Sequence, residues 1–182
     1  GSGKTFVILS MIYYSIKYFN SKGSNIIVVP HNIYTQWIKA IDNFLGKSLK
    51  YVCLIEYNEI NQLYVNSSIL YNNDIIITTP LMYDIFASSI NSLGLYVRRI
   101  FFDEADTIAN LLVHSLPAQM TWFISASINR IFDEKTQTAN IGAYKLNLNN
   151  LRMNECFCKD EFIDANVKLE SPQIEIYLYK RS

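Results

Sequence analysis

The feature that most constrains this chain is a recurring one. Short runs of large apolar residues stop abruptly in proline, hydroxyl residues or acids. Asn25-Ile26-Ile27-Val28-Val29 stops at Pro30, and Asp74-Ile75-Ile76-Ile77 stops at Thr78-Thr79-Pro80. Ile100-Phe101-Phe102 stops at Asp103-Glu104, and Thr121-Trp122-Phe123-Ile124 at Ser125-Ala126-Ser127. Runs with no polar alternation are strands buried on both faces, the condition of a parallel sheet covered by helices. The intervening segments carry helical spacing. Leu9, Ile12, Tyr13 and Ile16 mark a helix from Thr5 to about Asn20, closed by Lys22-Gly23-Ser24. Ile33, Trp37, Ile38, Ile41, Phe44 and Leu45 mark a second, with Gly46 at its C-cap. A third runs from Leu81 to about Leu93 with Pro80 near its first turn, and a short one from Thr107 to about Val113. Strands alternating with helices and ending on one polar edge predict an α/β fold, a parallel central sheet with helices on both faces.

The remainder is less strongly written. Leu49–Ile55 reads as a weak strand, and residues 57–73 as a short helix around Ile60–Leu63 followed by loop. Residues 136–140 read as loop, and Ile174–Tyr179 alternates like a strand.

The acidic strand end bears most on function. In an open parallel sheet, ligands bind beyond the carboxyl ends of strands, so Asp103 and Glu104 project toward a site. A hard divalent cation carrying phosphates needs one carboxylate for itself and another to orient an attacking water. The alternative is a strand that simply ends in a solvated acidic turn. The chain's first residues weigh against that. Gly1-Ser2-Gly3-Lys4-Thr5 ahead of an apolar-periodic helix is the back half of a phosphate-binding loop. Its glycines turn backbone N–H groups toward phosphates, Lys4 supplies charge for the β- and γ-phosphates, and the Thr5 hydroxyl reaches Mg²⁺. The upstream glycine and strand of the full pattern are missing, so the chain is expected to be part of a longer protein.

With 182 residues, half of them hydrophobic, there is chain enough for one well-buried α/β domain. Sixteen basic residues balance sixteen acidic ones, so no global positive charge advertises a nucleic-acid partner, although backbone amides and a few loop residues also grip phosphates. Cys53, Cys156 and Cys158 are too few for a disulfide scaffold, and Cys156-Phe157-Cys158 lacks the second ligand pair of a zinc site. No apolar run approaches the ~20 residues of a membrane span, and no secretory leader is read. The expected setting is intracellular and reducing, with no membrane partner.

In order, Gly1–Thr5, Val28-Val29-Pro30 with Gln36-Trp37, Thr78-Thr79-Pro80, Asp103-Glu104-Ala105-Asp106 and Ser125-Ala126-Ser127 resemble motifs I, Ia, Ib, II and III of superfamily 2 helicases. The resemblance covers the first RecA-like lobe, residues 1 to about 130. Gln36-Trp37 after Pro30, and Ile108 and Asn110 after the acidic tetrad, look like the SWI/SNF-like branch; Asp106 replaces that branch's histidine. Ser125-Ala126-Ser127 leans toward the corresponding motif of DEAD-box proteins. The overall look is to helicases and ATPases of large DNA viruses, which would place the protein in a virion or in host cytoplasm or nucleus. The segment Cys158–Asp164 adds to that likeness.

The resemblance implies a P-loop NTPase using ATP and Mg²⁺. Lys4, Asp103 and Glu104 would be catalytic; Gly1, Ser2, Gly3, Lys4 and Thr5 would bind nucleotide; Thr5 and Asp103 would hold the metal. Ser125 and Ser127 would couple nucleotide state to nucleic acid, and Pro30, Gln36, Thr78 and Thr79 would lie along its phosphates. Residues 1–135 would form the ATP-binding lobe, and 136–182 its end and the lead-in to a second RecA-like lobe, which supplies an arginine finger. The chain alone is therefore expected to hydrolyse ATP poorly. DNA is favoured over RNA as partner; an RNA helicase, or a binding module whose ATPase has decayed, are the alternatives. Trp37 reads as core rather than a base-stacking platform, His31 and His114 as loop or surface residues without partners, and Arg98-Arg99 as the solvated start of the acidic strand.

Overall fold

The computed structural model describes residues 3–19, 23–66, 68–93, 97–127, 130–133 and 138–147. They belong to one compact unit, residues 1–147. The element order is α1 (Lys4–Phe19), β1 (Asn25–Val28), α2 (Tyr34–Leu45), β2 (Tyr51–Leu54), α3 (Tyr57–Val65), α4 (Ser68–Asn72), β3 (Ile75–Thr78), α5 (Pro80–Leu93) and β4 (Val97–Phe102). Then come α6 (Ala105–Ile108), a 3₁₀ turn (Ala109–Leu111), β5 (Ala118–Phe123), β6 (Phe132–Asp133), β7 (Thr138–Ile141) and β8 (Tyr144–Asn147).

Five strands form a parallel sheet in the order β2-β3-β1-β4-β5. Successive side chains of a strand point to opposite faces, and here both faces are covered. Ile26, Val28, Ile76, Ile100 and Phe102 join a core with Ile60 and Leu63 of α3 and Tyr83, Phe86 and Ile90 of α5. Ile27, Ile75, Ile77 and Phe101 join a second with Ile8, Leu9 and Ile12 of α1 and Trp37 and Ile41 of α2. That division is why the strand sequences read as unbroken apolar runs. The expected fold class is the observed one: an α/β domain with helices on both faces of a parallel sheet.

Local chemistry sets most of the helix ends. Gly46, at φ 52°, closes α2 and returns its N–H to the carbonyls of Ile41 and Asp42. Pro80 is the first residue of α5, where its missing N–H costs nothing. The Glu59 carboxylate accepts the N–H groups of Ile55 and Glu56 at 2.7 and 2.9 Å, so the start of α3 is well capped.

Several expectations need correction. Residues 57–73 hold two helices, not one helix and a loop, because Ile60, Leu63 and Leu70 all reach the core. The helix expected from Thr107 begins at Ala105, inside the acidic tetrad, and tightens to a 3₁₀ turn over Ala109–Leu111. Residues 138–140, expected as loop, lie in β7 of an antiparallel three-stranded sheet, β6-β7-β8, anchored by Ile141 and Tyr144 against the first core. Phe44 is 45% exposed and packs edge-on against Phe6 instead of entering the core. Arg99 is half-buried: its guanidinium donates to Ser15 Oγ at 2.9 Å and Asn25 Oδ1 at 3.3 Å, tying β4 to α1 and β1. His114 has a partner, Asp84, whose carboxylate also accepts the N–H groups of Val113 and His114. Cys156, Cys158, the likeness over 158–164 and the strand at 174–179 lie outside the described residues.

Candidate active site

The parallel arrangement delivers the ends of β1, β3, β4 and β5 to one edge of the sheet, beside the first turn of α1. A cleft of ≈ 1580 Å³ opens there, lined by residues that include Gly3, Lys4, Thr5, Pro30, Gln36, Trp37, Thr79, Asp103, Glu104 and Ala126. Residues separated by more than a hundred positions thus share one wall.

At its centre, Lys4 Nζ lies 3.1 Å from Glu104 Oε1, both side chains about one-third exposed. Gly3 sits at φ 71° with open space where a Cβ would project, so its backbone can be approached closely. Glu104 is itself left-handed, φ 49° and ψ 50°, alone in this among the described non-glycine residues. Such backbones cost energy for L-residues and cluster at functional sites. The turn is held by Thr107, whose N–H and hydroxyl donate to the Glu104 carbonyl at 2.9 and 2.8 Å.

Asp103 is 5% exposed. One carboxylate oxygen accepts the Trp37 indole N–H at 2.9 Å, and the other accepts the Glu104 N–H at 3.1 Å. Burial pushes its carboxyl above the ordinary aspartate range, against the opposing pull of these hydrogen bonds and of Lys4. A second contact joins β5 to the residues after β4. Ser125 Oγ donates to Asp106 Oδ1 at 2.6 Å and accepts the Ser127 N–H at 2.8 Å, while Arg130 approaches the other Asp106 oxygen at 3.5 Å. The backbone reinforces it, with Ala105 N–H donating to the Ile124 carbonyl at 2.9 Å.

The structure therefore gathers Gly3, Lys4, Thr5, Asp103 and Glu104 at one cleft; Gly1 and Ser2 lie outside the described residues. Pro30, Gln36 and Thr79 line the same cleft. Thr78 does not: it is fully buried, and its hydroxyl donates to the Leu54 carbonyl at 2.7 Å, so its side chain is not presented to a ligand. Sequence reasoning missed two residues. Trp37 is core, as expected, but its N–H is directed at Asp103; the usable signal was that a buried indole seeks an acceptor. Asp106, noted only as a departure from a motif, is the acceptor for Ser125.

A parallel α/β sheet whose strand ends bring an Asp-Glu pair to a Gly-Lys-Thr helix start has the architecture of a RecA-like P-loop NTPase lobe. The chain belongs to the SNF2-related domain family, whose model matches residues 1–126. Among solved structures it is similar to the Sulfolobus solfataricus SWI2/SNF2 ATPase core in complex with dsDNA, with 20% sequence identity and a TM-score of 0.50. The match covers 69% of this chain and 25% of that one, so the chain spans a quarter of the solved protein's length. No curated protein matches it.

Proposed function

We propose that this chain is the ATP-binding lobe of an ATP-driven motor that translocates on duplex DNA. The observation that carries the reading is the meeting of Lys4, Thr5, Asp103 and Glu104 in one cleft, with Lys4 and Glu104 already paired at 3.1 Å. A lysine held by the glutamate has its charge balanced when no phosphate is near, and incoming β- and γ-phosphates compete for it. Glu104, once released, is free to orient the attacking water.

The donors also suit magnesium. Among the described residues no three His, Cys, Asp or Glu side chains cluster into a metal cage. Magnesium needs none, because it keeps waters and leans on substrate phosphates beside one or two protein oxygens. The Thr5 hydroxyl and Asp103 carboxylate are hard oxygen donors on the same cleft. When bound there the ion would neutralise phosphate charge; these two side chains would hold it. Gly1, Ser2 and Gly3 would present backbone N–H groups to the nucleotide.

Pro30, Gln36 and Thr79 would line the polynucleotide phosphates without reading bases. Ser125 and Ser127, through Asp106, would carry nucleotide state toward them. Residues 1–135 would be the lobe proper, and 136–182 its end and the approach to a second RecA-like lobe that would supply an arginine finger, an element worth about 10³–10⁵ in rate. The Ser125–Asp106 bond favours one competing reading, an RNA helicase of the same superfamily, since it joins the two motifs that lean toward the DEAD-box pattern. The test is ATP hydrolysis by the full-length protein with duplex DNA, single-stranded DNA or RNA, beside Glu104→Gln. Stimulation by duplex DNA that disappears in the variant is the expected result. Stimulation by RNA alone would transfer the assignment, and turnover unchanged in Glu104→Gln would refute it.

A further inference from the structure

Gln36 and Trp37 are neighbours in the first turn of α2, yet they face different worlds. Gln36 is exposed on the cleft, whereas Trp37 is 2% exposed and donates its indole N–H to Asp103 at 2.9 Å. The Asp103 carboxylate is thereby gripped from both sides, by Trp37 on one oxygen and the Glu104 N–H on the other. Packing alone does not call for this arrangement. Trp122, against the same core, keeps its indole nitrogen buried with no hydrogen-bond partner, and a phenylalanine ring would fill apolar space without any N–H. Trp37 is also fixed to a rigid body, because Ile41 and Leu45 bury the same face of α2. A displacement of the helix start at Gln36 must therefore move the indole against Asp103.

We propose that Trp37 is a positioning residue that orients Asp103 toward a divalent cation and transmits displacement of the Gln36 surface by a polynucleotide into the cation site. This rests on the function proposed above for the identity of both ligands. Outer partners of metal ligands typically contribute about 10–100-fold to metal affinity.

The experiment is titration of a fluorescent ATP analogue into the full-length protein, with magnesium or with EDTA, for wild type, Trp37→Phe, Asp103→Asn and the double variant. Trp37→Phe is expected to weaken the magnesium-dependent affinity about tenfold or more and to leave affinity in EDTA unchanged. On the Asp103→Asn background it should cause no further loss, as two residues acting through one contact require. Duplex DNA should shift the magnesium-dependent affinity in wild type and not in Trp37→Phe. The indole N–H resonance, assigned by its absence in Trp37→Phe, should move upfield in nucleotide-free Asp103→Asn. Equal weakening with and without magnesium would reduce Trp37 to a packing residue and overturn the proposal, as would a DNA-linked shift surviving in Trp37→Phe. Absence of magnesium-dependent binding in wild type would instead bring down the proposed function, and this inference with it.

Discussion

Replacing Glu104 should separate stability from activity, because its backbone is strained. Its backbone lies at φ 49°, ψ 50°, a region that costs an L-residue about 1–2 kcal/mol and costs glycine almost nothing. Glu104→Gly releases that strain and keeps the backbone bonds to Asp103 and Thr107, since both use main-chain atoms of residue 104. What it gives up is the pair with Lys4. With both side chains about one-third exposed, solvent-screened pairs of this kind contribute about 0.2–1 kcal/mol. Glycine's freer unfolded chain takes back about 0.4–1 kcal/mol more, so Glu104→Gly should stay within about 1 kcal/mol of the wild type although the ion pair is gone. Glu104→Asn should fall near the wild type, because asparagine tolerates the left-handed region, and Glu104→Val should lose about 1–2 kcal/mol through its β-branch. The assay is urea denaturation of nucleotide-free protein, paired with ATP hydrolysis by the full-length protein, which all three variants should lose. A Glu104→Gly variant less stable than wild type by 1 kcal/mol or more would refute the strain argument.

Two further outcomes test the fold around the site. At Gly142 the backbone has φ +57°, and an added Cβ would lie 2.1 Å from the Leu112 carbonyl oxygen, which already accepts the Ala143 N–H at 2.7 Å. Neither backbone group can swing aside, so Gly142→Ala should cost about 3 kcal/mol in chemical denaturation, combining left-handed strain with displacement of the β7–β8 turn. Burial pushes the Cys53 thiol up to about 11, so peptide mapping after iodoacetamide at pH 8 should find it unmodified in native protein and modified in urea. A raised thiol favours the native state fully below the unfolded thiol's range, and that contribution is lost as pH rises through about 11. Cys53→Ala should accordingly lessen alkaline destabilisation over that window.

The parallel sheet was legible because each strand is buried on both faces, which writes itself as an uninterrupted apolar run such as Ile75-Ile76-Ile77. Chain punctuation at Gly46 and Pro80 was legible for equally local reasons. Elements whose register depends on distant partners were not. The β7–β8 hairpin carries little apolar signal of its own and is held by Ile141 and Tyr144 meeting residues from α5, β4 and β5. Arg99 looked like a solvated strand start because its partners, Ser15 and Asn25, lie more than seventy positions away.

The same division runs through the site. The residue types and their order, Gly-Lys-Thr, Asp-Glu and the hydroxyl-rich strand ends, are set by the sequence, and the proposed phosphate and cation chemistry would call for those groups wherever the chain puts them. Geometry decided the rest. Only the packed sheet brings Lys4 within 3.1 Å of Glu104, buries Thr78 away from any ligand, and aims the Trp37 indole at Asp103. Those outcomes depend on which side chains meet across the sheet edge, and that is a property of tertiary contacts that no local spacing encodes.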